Sequence, residues 1–255
     1  MTLDLKALKK EAARGSTSPT RLRELAQLSV ELSRVIAKSE HTPIEILKDL
    51  AKSSDMPTRA AIAKHPNTTT TILDYLAGDK QWTVLKSVAV HPAVSDQTLT
   101  QLASHKQSTV RLAVAWKYRN KTRPLPAGVI QTLALDENLE VREEIFVYNL
   151  YSGLTAISEA TVEKLVFHSD FDIRLHISQS NNLIFSRSQL ERLIQDQSVE
   201  IRRNIASSSS FVMPAFKRDD LDLLEFMLKD KDKVVRQNAH DNISTLVNRG
   251  LIPRK

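Results

Sequence analysis

Apolar residues recur at helical spacing in short segments along the chain. Leu47, Leu50 and Ala51 stand at positions i, i+3 and i+4, and Leu73 opens the same arrangement 26 residues later. A short polar stretch follows each segment and leads into a second apolar segment. This pattern predicts pairs of short amphipathic helices rather than strands, because strand residues would alternate with a period of two.

The helix pairs repeat with a fixed internal spacing. A leucine or methionine near the end of each first segment precedes an anchor residue of the second segment by nine positions in all eight pairs. Successive pairs are 25 to 34 residues apart, as expected when loops of different length join similar units. The pairs are Leu25/Arg34, Leu50/Arg59, Leu76/Leu85, Leu102/Arg111, Leu133/Arg142, Leu165/Arg174, Leu193/Arg202 and Met227/Arg236.

Arginine occupies seven of the eight second anchors, and an aspartate precedes most of these arginines. An arginine near the start of a helix is unfavourable beside the positive end of the helix dipole unless an anion accompanies it. We therefore interpret these residues as a structural ladder, in which each Asp caps a second helix and binds an Arg of the same or the next repeat. The alternative is a row of cations for a phosphate backbone. The ladder comprises Asp55, Arg59, Asp136, Arg142, Asp170, Arg174, Asp196, Arg202, Asp230 and Arg236.

The junctions His65-Pro66-Asn67 and His91-Pro92, flanked by Leu-x-x-Leu-Ala and Val-Arg-x-x-Val-Ala, resemble the variant leucine-rich repeat family. This resemblance implies an all-α, right-handed α-solenoid of about eight stacked helix pairs, similar to HEAT-like repeats, whose second helices are short or 3₁₀. The founding member of the family carries a cysteine-based iron–sulfur domain. This chain has no cysteine, so that domain is not expected here.

The repeats set the expected domain organisation. Residues 1–40 form N-terminal cap helices and a first repeat, 41–247 form a single continuous solenoid, and 248–255 form a C-terminal tail. The segment Ser18–Ser39 fits equally well a true repeat or one long capping helix.

Composition removes several classes of function. The absence of cysteine excludes disulfides, thiolate metal sites and cysteine nucleophiles, and five glycines leave no phosphate-binding loop. No metal-ligand spacing, cofactor motif or catalytic constellation is present, so we expect no enzyme, no cofactor and no metal. Without a signal peptide or a long apolar run, the expected location is the cytoplasm, with no membrane attachment.

Positive charge is concentrated in the first half of the chain. The net charge is +6, made of +9 over residues 1–128 and −3 over residues 129–255. No Asp or Glu occurs between Gln97 and Leu135, where cations alternate with aromatic residues. This patch predicts contact with an anionic partner, either an acidic protein or a nucleic acid; alternatively, Trp116 packs between repeats and the cations are solvated. Its residues are Lys106, Arg111, Trp116, Lys117, Tyr118, Arg119, Lys121 and Arg123.

The functional prediction is a non-catalytic scaffold that binds a protein or peptide along its concave face, as helical repeat proteins commonly do. The alternative is nucleic-acid binding through Lys106–Arg123. A remote alternative is an enzyme similar to the HEAT-like-repeat DNA glycosylases, for which Trp82, Trp116 and Asp79 are the candidate pieces.

Overall fold

The computed structural model describes residues 4–117, 125–152, 157–179, 183, 185–207 and 220–252, and these ranges contain no strand. The protein is therefore all-α, as the apolar spacing predicted. The described ranges hold seventeen helices: α1 (Leu5–Ala12), α2 (Pro19–Leu28), α3 (Val30–Lys38), α4 (Ile44–Leu50), α5 (Met56–Lys64), α6 (Thr70–Leu76), α7 (Trp82–Val90), α8 (Asp96–Ala103), α9 (Ser108–Lys117), α10 (Ala127–Ala134), α11 (Leu139–Ser152), α12 (Glu159–Val166), α13 (Phe171–Ser178), α14 (Arg187–Ile194), α15 (Val199–Ser207), α16 (Leu221–Met227) and α17 (Lys233–Asn248).

Side-chain caps divide the chain into these short helices. The Ser18 hydroxyl accepts a hydrogen bond from the Arg21 N–H at the start of α2. Ser29 then ends α2 in an extended conformation, and its hydroxyl accepts from the Leu32 N–H at the start of α3. Ser18–Ser39 is therefore two helices and not one long capping helix.

The chain divides into two compact units, Met1–Leu133 and Ala134–Lys255, and the boundary falls inside α10. In the first unit, α3, α5, α7 and α9 pack against one another in succession, and α4, α6 and α8 each pack against the helix that follows. The anchor leucines Leu25, Leu76 and Leu102 are at most 1% exposed. Each fully buried leucine stabilises the fold by about 1.5–3 kcal/mol, so these positions determine how the helices pack.

The second unit has the same kind of internal packing. Helices α11, α13, α15 and α17 contact one another in turn, as do α12, α14 and α16. The anchors Leu165, Leu193 and Met227 are fully buried. The second segments are α-helices in both units and not 3₁₀ helices. Among the described residues, none of the helices has the length and apolar character needed to cross a membrane.

A row of side chains joins the ends of the second helices in the first unit. His65 Nε2 donates to the Ser39 carbonyl oxygen at 2.8 Å, and His91 Nε2 donates to the His65 carbonyl oxygen at 3.1 Å. Lys117 Nζ then donates to the His91 carbonyl oxygen at 2.7 Å. We call His65, His91 and Lys117 the carbonyl row. Because its members are 26 residues apart, each satisfies a helix-end carbonyl one repeat earlier.

The hydrogen bonds of the two histidines also fix their tautomer. Nδ1 of His65 accepts from the Asn67 N–H and Nδ1 of His91 accepts from the Ala93 N–H, both at 3.1 Å, so the ring hydrogen lies on Nε2. Burial lowers the pKa of His91 below 6.5, and the charge of Lys117 lowers it further, although the bond to the His65 carbonyl opposes the shift. His91 is therefore a neutral structural donor.

We predict that stability contributed by neutral His91 is present above about pH 6.5 and is lost as the pH falls. The unfolded chain binds a proton at His91 near pH 6.5, whereas the folded chain binds it only at lower pH, so acid favours unfolding in this window. Urea unfolding at pH 8, 6.5 and 5.5 measures the effect. His91→Gln should show a smaller loss of unfolding free energy between pH 6.5 and 5.5 than the parent protein. His240→Gln, at a residue whose side chain is 69% exposed, should not. Equal pH dependence in His91→Gln and the parent would contradict the assignment.

Candidate functional site

The ladder arginines bind two groups at once. Arg59 Nε and Nη2 donate to the two carboxylate oxygens of Asp79, at 2.5 and 3.2 Å. Arg59 Nη1 donates to the carbonyl oxygens of Ser53 and Ser54, at 2.7 and 3.0 Å. One guanidinium thus binds the turn before its own helix, α5, and also the turn before α7 in the next repeat.

The second unit repeats this arrangement twice. Arg174 Nε donates to the Asp196 carboxylate at 2.8 Å, and Arg202 Nε donates to the Asp230 carboxylate at 2.7 Å. Arg202 Nη1 also donates to the backbone carbonyl of Asp196 at 2.8 Å. Asp196 therefore binds the arginine of the preceding repeat through its carboxylate and that of its own repeat through its backbone.

The other predicted ladder residues have partly different partners. Asp55 caps α5 by accepting from the Thr58 N–H, and its carboxylate also binds Arg34 of the preceding repeat at 2.7 Å. Asp170 caps α13. Arg142 Nη1 and Arg236 Nη1 donate to the carbonyls of Asp136 and Asp230, respectively. The carboxylate partner lies one repeat away in every carboxylate pair described above.

Arginine contacts hold three carboxylates, those of Asp79, Asp196 and Asp230, in the ionised form. Burial raises the pKa of Asp79, but the Arg59 guanidinium and the Gln81 N–H lower it more, so the pKa falls below the usual 3.8. The same opposition of burial and guanidinium contact lowers the pKa of Asp196 and of Asp230. These three carboxylates therefore carry their charge into contacts between repeats.

The predicted patch divides into buried and exposed residues. Lys106 is exposed, but Arg111 is buried and its Nη1 donates to the carbonyls of His105 and Lys106. Lys117 is buried in the carbonyl row. Tyr118, Arg119, Lys121 and Arg123 lie outside the described residues. Two of the predicted cations therefore point their charges into the fold.

Trp116 is half-buried and forms part of another surface. Lys86 Nζ lies 4.5 Å from the centre of the Trp116 ring, a cation–π contact between α7 and α9. Trp82, by contrast, stands at the first residue of α7, and Trp116 stands near the end of α9. Trp116 corresponds in the 26-residue register to Val90, eight residues or about 12 Å along the helix from Trp82. The two tryptophans therefore occupy opposite ends of neighbouring helices, and the Asp79 carboxylate is bound by Arg59.

The second helices of the first unit share one chemical character on their exposed side. Helices α5, α7 and α9 contain no Asp or Glu. Lys38, Lys64, Val90 and Trp116 occupy equivalent positions on α3, α5, α7 and α9, and Lys86 lies one turn before Val90. We call these five residues the lysine–tryptophan face. Lys38, Lys64 and Val90 are exposed.

A groove of about 520 Å³ opens between α3 and α5 on this face. Ala60 and Ala61 form its floor, where their small side chains leave space, and Pro57 adds an apolar wall. Lys38 and Lys64 stand on its lining beside one acid, Glu40. The groove therefore combines an apolar floor with a positive rim, which suits an acidic chain that carries an apolar side chain.

The first helices form a different surface. A groove of about 360 Å³ between α4 and α6 is lined by Ile44 and Tyr75 together with Lys48 and Lys52. The first helices around it carry acids, among them Glu45 and Asp49 on α4 and Asp74 on α6. Their charge is mixed, whereas α5, α7 and α9 contain no acidic residue.

Within the described ranges, no three His, Asp or Glu side chains form a cluster suited to a metal ion. No protein-family model matches the chain, and no curated protein matches it. Among solved structures, it aligns with a crystal structure of an engineered protein over 96% of this chain and 98% of that one, at 15% identity and a TM-score of 0.22. That score supports no argument about fold or function.

We predict that Asp79→Asn lowers the unfolding free energy by about 2–3 kcal/mol, because it removes a charged partner from the nearly buried Arg59 guanidinium. Asp49→Asn breaks the exposed pair with Arg23, whose side chains are 46% and 50% exposed, and should cost less than about 1 kcal/mol. Urea unfolding at pH 7 compares the two variants. Equal losses would show that the ladder contact is no stronger than a surface ion pair.

Proposed function

We propose that this chain is a non-catalytic repeat scaffold of the variant leucine-rich or HEAT-like kind, which binds a protein or peptide along the second helices of its first unit. In this proposal, α2 to α17 form eight helix pairs of a right-handed α-solenoid. The anchor register supports it, because each anchor leucine or methionine lies in an even-numbered helix and its partner nine residues later lies in the next helix. The one-repeat offset of the Arg–Asp contacts supports it as well.

The single observation that carries the binding proposal is the lysine–tryptophan face. The described side-chain bonds of the ladder arginines go to aspartates or to backbone carbonyls, whereas Lys38 and Lys64 are exposed and border an apolar groove. Lysine side chains that flank an apolar surface recognise carboxylates while their stems extend the apolar contact. The partner we propose is therefore an acidic peptide segment with an apolar anchor.

The spacing of the lysines suggests the form of that segment. Lys38 and Lys64 are at equivalent positions on two packed helices, and the axes of packed helices are about 8–10 Å apart. Residues i, i+2 and i+4 of an extended peptide face the same side, and residues i and i+4 are about 13 Å apart. Carboxylates at positions i and i+4 would lie within reach of the two long lysine side chains, and an apolar residue at i+2 would face Ala60 and Ala61.

Nucleic-acid binding is the competing proposal, and it depends on the stretch Lys106–Arg123. Arg111 and Lys117 donate to backbone carbonyls within the fold, so their charges contribute little to a phosphate track. The described part of that stretch leaves Lys106 as its exposed cation. We therefore rank an acidic peptide above a nucleic acid.

We predict that the protein binds fluorescein-labelled peptides with glutamates at positions 1 and 5 and leucine or phenylalanine at position 3, and that it binds matched lysine peptides much more weakly. The combined variant Lys38→Glu and Lys64→Glu should lose about tenfold or more in affinity by fluorescence anisotropy. Lys48→Glu with Lys52→Glu is the control, because it changes the net charge equally on the first-helix surface.

An equal loss of peptide affinity in both variants would show that net charge alone explains the effect. It would contradict binding at the groove. A labelled twenty-nucleotide oligo-dT strand tests the competing proposal in the same assay. Binding of that strand that falls steeply with salt, together with no binding of the glutamate peptides, would overturn the peptide proposal in favour of a nucleic acid.

A further inference from the structure

One position of the ladder differs from its neighbours. In four of the eight pairs, the third residue after the anchor leucine or methionine is an aspartate, and Asp79, Asp196 and Asp230 each bind the arginine of the preceding repeat. Histidine stands at this position twice, as His105 and as His168. The carboxylate is therefore absent from this position in both turns, and Asp170, two residues after His168, uses its carboxylate to cap α13.

Histidine keeps the local turn but not the charge. His168 Nδ1 accepts from the Asp170 N–H at 3.0 Å, just as the Asp196 carboxylate accepts from the Ser198 N–H at 3.0 Å. His105 Nδ1 does the same with the Gln107 N–H at 3.1 Å. The substitution thus preserves the backbone contact and removes only the negative partner of the preceding repeat.

The two histidines differ in the second anchor residue of the repeat before them. The anchor before His105 is Leu85, which carries no charge to neutralise. The anchor before His168 is Arg142, which is only 3% exposed. Its Nη1 donates to the carbonyls of Asp136 and Glu137, at 2.6 and 3.1 Å, as the other ladder arginines do within their own turns.

The Arg142 Nε atom is buried and has no hydrogen-bond partner in the described part of the chain. In Arg59, Arg174 and Arg202, the same atom donates to an aspartate of the next repeat. On the same helix, α11, the Glu143 carboxylate lies beside another residue, with its Oε1 3.6 Å from His176 Nε2. A buried donor of a permanently charged group is unfavourable without an acceptor.

We propose that Arg142 binds an oxyanion, a carboxylate or a phosphate, beside His168 between α11 and α13. Its oxygens would accept from Arg142 Nε and Nη2, in the way that aspartate oxygens do at the other turns. His168 adds a second donor, because its Nδ1 accepts a hydrogen bond and its Nε2 therefore carries the ring hydrogen. This site lies in the second unit and is independent of the lysine–tryptophan face.

Thermal unfolding in sodium phosphate, sodium acetate and sodium chloride at equal ionic strength tests the proposal. We expect phosphate or acetate to raise the Tm of the parent protein above its value in chloride by about 2–4 °C, because a ligand of the folded state stabilises it. Comparison of the two salts distinguishes a phosphate site from a carboxylate site.

Two variants make the assignment specific. His168→Asp supplies the missing carboxylate, so it should raise the Tm in chloride and remove the added effect of phosphate and acetate. Asp79→His is the matched control, because it replaces the carboxylate partner of Arg59 with a histidine. Arg59 Nη1 donates to two backbone carbonyls of its own turn, as Arg142 Nη1 does. It should lower the Tm in chloride and produce a new dependence on the oxyanion.

The proposal is overturned if the parent protein has the same Tm in all three salts. It is also overturned if His168→Asp keeps the full response to phosphate and acetate. Isothermal titrations of the folded parent protein with phosphate and with acetate give a second reading that does not depend on unfolding, and the absence of saturable heat with both would likewise contradict the site.

Discussion

The structure depends on contacts between consecutive repeats, because its helices are too short to be stable alone. A helix of seven to ten residues forms few internal hydrogen bonds and leaves most of its end groups without partners. In the first unit, the carbonyl row supplies those partners from one repeat later, through His65, His91 and Lys117. The Arg–Asp ladder does the same for the turns between helices. Each repeat thus obtains hydrogen-bond partners for its helix ends and turns from the next repeat.

This constraint also determines which charges are available for binding. Arg59, Arg174 and Arg202 are turned towards aspartates, and Arg111 and Lys117 are turned towards backbone carbonyls. In the first unit, Lys38 and Lys64 are exposed on the second helices and do not interrupt the packing of the repeats. The proposed binding surface therefore consists of exposed residues that these contacts do not use. Arg142 is a ladder arginine whose Nε atom has no hydrogen-bond partner among the described residues.

The repeat spacing was enough to predict an all-helical protein and the positions of its buried anchors. It did not predict that ladder carboxylates bind the arginine one repeat earlier, because spacing along the chain does not tell which repeat a side chain reaches. The basic neighbours of Lys117 in the sequence indicate a binding patch, whereas the structure places its Nζ on the His91 carbonyl oxygen. The 26-residue interval from His91 to Lys117 was a signal for its buried role, but a lysine replaces a histidine there, and its long side chain reaches the same carbonyl.

The most direct test of the account is hydrogen–deuterium exchange of the Leu73→Ala variant, because Leu73 is fully buried in α6. If each repeat is stabilised by its neighbours, faster exchange will be confined to α4 through α8, while α1 and α2 of the same unit keep their protection. If α1 and α2 lose protection to the same degree as α6, the unit is one undivided cooperative core, and repeat-to-repeat stabilisation is contradicted.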